Sequence, residues 1–242
     1  MSTSRACSSF KSLSNRMLHC CNSKNRYEKL DNELERKLME VKQRYKPGNS
    51  NIRSINSIIL RFPQIRFGLE EIRGVFRQFD TDSNGNINRA ELTKCLQKLQ
   101  FNCTEHEIDD IYESCDLGGS KGMRFNEFIV VLCLIYILVG TSSSSPTATT
   151  MGSLELKATF DSIIEAFLYL DKNGDGKLDK KDMIQAMNDD FRKEKSPTHI
   201  TMNRFKEMDW NKDGKVGFRE FLFSLINWVG IESNNEVHIT HI

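Results

Sequence analysis

The sequence predicts an all-α protein built from two pairs of helix–loop–helix units. A 12-residue loop pattern, flanked on both sides by amphipathic segments, occurs four times and begins at Asp80, Asp116, Asp171 and Asp209. These first positions are 36, 55 and 38 residues apart, so two close pairs are separated by a wider gap. Apolar residues at 38% and charged residues at 28% exclude a wholly disordered or collagen-like chain.

Residues 1–67 are predicted to form a basic N-terminal extension. They carry a net charge of +9, whereas residues 68–152 carry −5 and residues 153–242 carry −3, which leaves +1 for the whole chain. A basic extension favours anionic surfaces, and acidic units favour cations or basic helices.

Part of this extension is predicted to be helical. Between residues 27 and 45, apolar residues recur every three or four positions and charges fill the opposite face, which is typical of an amphipathic helix. A second apolar and basic segment covers Ile52–Phe67 and is interrupted by Pro63. Two roles stay open for this segment: it restrains one of the pairs when metal is absent, or it is simply an extra packed element.

The first pair is predicted over residues 68–139, with loops at 80–91 and 116–127. It ends in Phe128–Val139, a run of 12 apolar residues. As a helix this run would extend about 18 Å, against about 30 Å for the core of a membrane, so we assign it to the helix after the second loop. It is more apolar than one pair requires, and we expect a partner or Ile52–Phe67 to cover it.

The second pair is predicted over residues 153–230, with loops at 171–182 and 209–220. Between the pairs, residues 140–152 are rich in Ser and Thr and have no charge, which predicts a flexible linker. Residues 231–242 form a C-terminal tail.

The residue types in the loops indicate calcium. A 12-residue loop binds this ion through side-chain oxygens at positions 1, 3 and 5, a backbone carbonyl at position 7, often a water at position 9, and a bidentate carboxylate at position 12. Position 6 turns sharply with a positive φ, which glycine tolerates. Position 8 is apolar because it pairs with the partner loop.

The first and fourth loops match this pattern. The predicted ligands of the first are Asp80, Asp82, Asn84, the carbonyl of Asn86, and Glu91. Those of the fourth are Asp209, Asn211, Asp213, the carbonyl of Lys215, and Glu220. In the fourth loop, Gly217 at position 9 gives a water no side-chain partner, which we expect to weaken that site.

The third loop departs from the pattern at its last position. Its predicted ligands are Asp171, Asn173, Asp175, the carbonyl of Lys177, and Asp182. Because aspartate is one methylene shorter than glutamate, Asp182 is less able to bind bidentately. We therefore expect a lower calcium affinity here and better tolerance of octahedral magnesium.

The second loop departs most. Gly118 at position 3, Lys121 at position 6 and Arg124 at position 9 break the pattern, and only Asp116 and Glu127 remain as carboxylates. We predict that this loop pairs with the first through Met123 and Ile87 and binds little or no metal, which gives about three calcium sites in the chain.

The segments FRQFDTDSNGNINRAEL, FLYLDKNGDGKLDKKDM and FKEMDWNKDGKVGFREF resemble EF-hand proteins of the calmodulin type. With the basic extension, the chain looks like a plant calmodulin-like protein. The resemblance covers about residues 68–230 and implies a helical fold of two lobes that binds target helices when calcium is present. The degenerate second loop, the final aspartate of the third and the Ser/Thr-rich linker depart from calmodulin.

A sensor of this type opens its helix pairs on binding calcium and exposes an apolar groove. The candidate groove residues are Leu92, Leu96, Phe128, Val131 and Leu132 in the first pair, and Met183, Met187, Phe205, Met208, Phe221 and Leu225 in the second. The alternative is that these residues are simply the core of closed pairs.

The predicted function is a calcium sensor whose partners are amphipathic helices of target proteins. A calcium buffer and a regulatory subunit of an enzyme are the alternatives.

The extension raises the question of membrane attachment. Cys20 and Cys21 lie among basic residues, and S-acylation of such cysteines beside a basic patch gives stable attachment to membranes. The predicted location is the cytoplasm, with membrane association and organelle targeting through a Ser-rich, acid-free leader as alternatives.

Catalytic function is not expected. The 67 residues before the first pair are too few for a kinase or phosphatase domain, and the sequence has no phosphate-binding or nucleophile motif. Its seven cysteines form no Cys-x-x-Cys, which argues against structural zinc and a disulfide framework. Neither a nucleic acid nor a small-molecule substrate is predicted as a partner.

Overall fold

The computed structural model describes residues 28–44, 52–99, 103–116, 122–140, 154–190 and 198–231. These ranges contain ten helices and, in place of strands, two isolated bridges. The helices are α1 Glu28–Arg44, α2 Ile55–Ile59, α3 Phe62–Phe79, α4 Arg89–Lys98, α5 Glu105–Cys115, α6 Phe125–Gly140, α7 Leu154–Leu170, α8 Lys180–Asp190, α9 Thr198–Met208 and α10 Phe218–Trp228. The all-α prediction is confirmed.

Each predicted loop lies between two of these helices. The first pair consists of α3 to α6, and the second consists of α7 to α10. Within each pair the two loops meet at one bridge, Ile87 with Met123 and Leu178 with Val216. The backbone hydrogen bonds of these bridges are 2.8–2.9 Å long. The apolar residue at position 8 therefore pairs the loops, as the sequence predicts.

Capping boxes mark where α2, α4 and α5 begin. Asn88 accepts a hydrogen bond from the backbone of Glu91, and the Glu91 carboxylate accepts one in return from the backbone of Asn88, both at 3.0 Å. Thr104 and Glu107 make the same reciprocal pair at the start of α5. Such boxes satisfy backbone N–H groups that the first helical turn leaves without partners.

Helix α6 lies at the centre of the molecule. Every residue from Phe128 to Ile135 is buried, and α1, α3, α5 and α10 pack on this helix. It thus contacts the N-terminal extension, its own pair and the second pair. The sequence analysis expects a partner or Ile52–Phe67 to cover this apolar run. In the structure α1 and α10 pack on α6, and so does α3, which begins inside that segment at Phe62. Leu34 and Leu38 on the apolar face of α1 are buried.

The segment Ile52–Phe67 lies on the second pair. Helix α2 packs on α8, and Arg61 donates a hydrogen bond of 3.2 Å to Ser162 in α7. Ile52 and Ile58 are buried, whereas Ile59, Leu60 and Phe67 are exposed. The segment is divided into two helices, α2 and α3, just before Pro63, which agrees with the predicted interruption. Pro63 lies in the first turn of α3, where a missing N–H costs nothing.

The two pairs pack directly against each other through α3 and α7. Gly68 makes this approach possible, because a Cβ built on it would lie 2.0 Å from Oγ1 of Thr159. Nearby, Tyr136 of α6 donates a 2.6 Å hydrogen bond to Asp161 of α7. The pairs therefore share one apolar core. Linker residues 141–152 and tail residues 232–242 lie outside the described ranges.

Among the described helices, α6 included, none combines the length and apolar character that crossing a membrane requires.

Candidate metal-binding loops

The first, third and fourth loops have the same backbone turns. Positions 4 and 6 have positive φ in all three, with values of 54° and 78° in the first, 77° and 81° in the third, and 59° and 85° in the fourth. Glycine occupies position 6 in each, at Gly85, Gly176 and Gly214. Ser83 and Lys212 adopt a positive φ at position 4, where the third loop has Gly174. The local sequence thus specifies the conformation that the ligand pattern requires.

The three loops also share a ladder of hydrogen bonds from backbone N–H groups to ligand side chains. Position 6 donates to the position 1 carboxylate at 2.9–3.2 Å. Position 5 donates to the position 3 side chain at 2.8–3.1 Å. Position 7 donates to the position 5 side chain at 2.8–3.0 Å, from Asn86, Lys177 and Lys215. These bonds turn side-chain oxygens at positions 1, 3 and 5 towards the inside of each loop.

The first loop brings three carboxylates together. One oxygen each of Asp80, Asp82 and Glu91 lie within 4.8 Å of one another. Burial acts to raise the pKa of Glu91, but hydrogen bonds from Thr81 and Asn88 lower it overall. Glu91 therefore remains a carboxylate that links the start of the loop to the start of α4. This donor set contains only oxygen, which suits a hard divalent cation.

The fourth loop contains one buried carboxylate oxygen without a hydrogen-bond partner. Oδ1 of Asp209 is buried and has no hydrogen-bond partner among the described residues. Burial raises the pKa of Asp209, and it raises the pKa of Glu220 to about 8. A buried carboxylate oxygen without a hydrogen-bond partner is unfavourable unless a cation offsets its charge. The fourth loop thus fits a divalent ion.

The third loop is closed at its end by the shorter Asp182. One oxygen of Asp182 accepts hydrogen bonds from Lys172 and Asn173 at 3.0 and 3.1 Å, and the other accepts one from Asp179 at 2.8 Å. Asp171 at position 1 is almost fully buried, and burial raises its pKa although the charge of Lys42 acts in the opposite direction. The donor set again fits a hard cation.

The third loop also contacts α1, which sequence reasoning missed. Lys42 donates a hydrogen bond to the backbone carbonyl of Asp171, and its ammonium lies 3.7 Å from Oδ2 of the same residue. Glu35 forms an ion pair with Lys177 at 3.0 Å. The apolar face of α1 signals that this helix packs against something, but periodicity does not identify the surface on which it lies.

The second loop pairs with the first as predicted. Its residues 117–121 lie outside the described ranges, and these include the departures Gly118 and Lys121. Glu127 accepts a 2.7 Å hydrogen bond from the backbone of Arg124. Oδ1 of Asp116 is buried without a hydrogen-bond partner among the described residues. Little or no metal binding at this loop stays a prediction.

The candidate groove residues are almost all in the core. Leu92, Leu96, Phe128, Val131 and Leu132 are at most 1% exposed. In the second pair, Met183, Phe205, Met208, Phe221 and Leu225 are buried as well, and Met187 is partly buried. In this structure these residues are therefore core residues and do not line an exposed groove. Cys20 and Cys21, the candidate acylation sites, lie outside the described residues.

Comparison with known families gives one match that covers more than half of the chain. The model of the EF-hand domain pair matches residues 69–132 and 160–225. Each matched range contains two of the loops and corresponds to one of the two helix pairs.

Several plant and animal proteins are similar in sequence. Probable calcium-binding protein CML22 of Arabidopsis thaliana is 48% identical over 225 residues, which are 91% of this chain and 98% of that protein. Probable calcium-binding protein CML21 of the same plant is 42% identical over 204 residues, which are 84% and 87% of the two chains. Calcium-dependent protein kinase 3 of Oryza sativa subsp. japonica is 25% identical over 64% of this chain but only 24% of the kinase. This likeness reflects the EF-hand regions only.

Proposed function

The chain belongs to the plant calmodulin-like branch of the EF-hand calcium-binding proteins, and we propose that within this branch it is a sensor. In this proposal, calcium binds to three of the four loops. Apolar surface that is buried in the closed pairs then becomes available to a target protein.

The ligands proposed for the three sites are those at positions 1, 3, 5, 7 and 12 of each complete loop. They are Asp80, Asp82, Asn84, Asn86 and Glu91; Asp171, Asn173, Asp175, Lys177 and Asp182; and Asp209, Asn211, Asp213, Lys215 and Glu220, with Asn86, Lys177 and Lys215 binding through their carbonyls. The hydrogen-bond ladder common to the three loops supports the assignment most strongly. The third site is proposed to accept magnesium more readily than the others.

The position 12 carboxylates connect these sites to the helices. Glu91, Asp182 and Glu220 each lie in the first turn of the helix that leaves the loop. In the closed state they accept hydrogen bonds from the first residues of the loop, at 2.9–3.5 Å. Any displacement of these carboxylates towards an ion moves the exit helix as well, because they are attached to it.

The proposed partners are amphipathic helices of target proteins. Two observations favour sensing over buffering. The three sites differ in how well they match the ligand pattern. The residues between the helices are large, apolar and buried, and several of them are methionines, which suit an adaptable groove.

A role for the basic extension at a membrane surface is also part of the proposal, and it depends on the net charge of +9 of residues 1–67.

The test measures calcium uptake and apolar exposure together. The full chain is titrated with calcium by calorimetry, while the fluorescence of a hydrophobic probe is followed in parallel samples. The proposal predicts three bound ions and an increase in probe fluorescence. Three ions without an increase would establish a buffer, and pull-down with and without calcium would then identify an enzyme partner if the chain is a regulatory subunit.

A further inference from the structure

We propose that α1 is a built-in competitor for the third loop and that the ammonium of Lys42 is the competing cation. The inference rests on the proposed function, because it concerns how tightly one of the three sites binds calcium. It adds a residue from outside the loops that sets the affinity of a site inside them.

Lys42 places positive charge beside the first ligand of the third loop. Its Nζ lies 3.7 Å from Oδ2 of Asp171 and donates a hydrogen bond to the Asp171 carbonyl. The Asp171 side chain is 1% exposed, so water screens this attraction weakly. A calcium ion bound through Asp171 would be repelled by the ammonium as long as Lys42 stays in place.

The glycines of the loops show that this contact is specific to the third one. A Cβ built on Gly176 would lie 3.0 Å from the backbone of Glu35, and one on Gly174 would lie 3.4 Å from Nζ of Lys42. At the position equivalent to Gly176 in the first and fourth loops, a Cβ on Gly85 or Gly214 meets no described atom within 4 Å. Helix α1 therefore lies against the position 6 turn of the third loop and not against the corresponding turn of the first or fourth loop.

Two further ion pairs hold α1 beside the second pair. Glu35 contacts Lys177, the position 7 residue of the third loop, at 3.0 Å. Asp31 contacts Arg219, which precedes the last ligand of the fourth loop, at 3.0 Å. Leu34 and Leu38 are buried on the same helix, which packs on α6. Lys42 is thus presented by an anchored helix and is not a freely moving surface lysine.

Competition makes the position of α1 and the occupancy of the third loop interdependent. If the docked helix lowers the affinity for calcium, then calcium must weaken the docking of the helix by the same factor, because the coupling is reciprocal. The short side chain of Asp182 at position 12 and the ammonium of Lys42 both lower the calcium affinity of the third site. The third site is consequently the last of the three to fill.

The first test measures the affinity of the third site alone. In the full chain, Glu91→Gln and Glu220→Gln silence the other two sites, and calcium binding is measured by calorimetry with and without Lys42→Met. We expect Lys42→Met to tighten binding about three- to tenfold, as for removal of a partly buried charge pair. Lys42→Arg retains the charge and should retain the lower affinity.

A matched control uses the same helix. Arg36→Met removes a positive charge from α1 that forms ion pairs with Glu33 and Glu40 of the helix itself, so the affinity should stay within about twofold of the parent. The inference is overturned if Lys42→Met tightens binding no more than Arg36→Met, or if Lys42→Arg tightens it equally. If the full chain without substitutions binds no calcium at any site, the proposed function fails together with this inference.

The second test follows α1 directly by hydrogen exchange and mass spectrometry. We expect saturating calcium to speed the exchange of amides in residues 28–44 of the full chain. The same region should not respond when Asp182→Asn disables the third site. Exchange in this region that is the same with and without calcium would contradict the competition, even if all three sites bind.

Discussion

The position 12 carboxylate of each complete loop belongs both to the loop and to the helix that follows. Glu91 shows this best, because it closes the capping box of α4 and also accepts hydrogen bonds from Thr81 at the start of the loop. One side chain thereby connects the metal site to a helix end. The sequence analysis predicts this residue only as a ligand, and the structure adds its role in the cap.

The length of the position 12 side chain leads to a first prediction. Asp182→Glu should raise the calcium affinity of the third site about three- to tenfold and reduce its preference for magnesium, because the added methylene restores bidentate reach. Calorimetric titrations with each ion, in the chain whose other sites are silenced, measure the change.

The reverse substitution provides the control. Glu220→Asp in the fourth loop should weaken calcium binding at that site by a similar factor. If Asp182→Glu left both affinities unchanged, side-chain reach would not be what limits the third loop.

The buried cysteines lead to a second prediction at this scale. Burial raises the pKa values of Cys95 and Cys115 to about 12, and the partly exposed Cys103 also has a raised pKa. At pH 8 a thiol with a pKa of 12 is ionised in about one molecule in ten thousand, and the thiolate is the form that alkylates.

Iodoacetamide labelling in calcium-free buffer, mapped by mass spectrometry, compares the reaction rate of the partly exposed Cys103 with those of the buried Cys95 and Cys115. Among these three cysteines, Cys103 should react first, and Cys95 and Cys115 should react only after denaturant is added. Equal rates for the three cysteines in the native protein would show that the closed pairs open readily without calcium.

At the scale of elements, close contact between α3 and α7 joins the two pairs. A third prediction follows from Gly68, where any side chain would collide with Thr159. Gly68→Ala should lower the free energy of unfolding by about 1–3 kcal/mol, as overpacking of a tight contact does. Urea unfolding followed by circular dichroism measures the loss.

Gly74 offers a matched control on the same helix. A Cβ at this exposed position meets no described atom within 4 Å, so Gly74→Ala should stabilise the protein by up to about 1 kcal/mol through helix propensity. If Gly68→Ala were as favourable as Gly74→Ala, the contact between the pairs would not exist in solution.

The helices themselves were largely predictable, whereas their long-range partners were not. Apolar periodicity over residues 27–45 predicts α1, and the structure has a helix at Glu28–Arg44. The same periodicity does not specify that Leu34 and Leu38 face α6 or that Lys42 reaches Asp171. Pro63 marks the predicted interruption of Ile52–Phe67, because proline is favoured in the first turn of a helix and α3 begins there.

At the scale of the whole molecule, the two EF-hand pairs and the described part of the extension pack together around α6. The repeat spacing predicts the pairs and their loops, but it predicts nothing about whether the pairs contact each other. The excess apolar character of Phe128–Val139 was the one signal that this helix has several neighbours. Because α10 of the second pair packs on α6 of the first, a movement that opens one pair also exposes apolar surface of the other.

The central claim is that three loops of the chain bind calcium, and native mass spectrometry of the full chain tests it most directly. With calcium at micromolar to millimolar concentrations, the account predicts mass increments for three bound ions, one for each complete loop. It also predicts the loss of one ion with each of Glu91→Gln, Asp182→Asn and Glu220→Gln. A chain that takes up no calcium at millimolar concentration, or that retains all three ions when the three substitutions are combined, would contradict it.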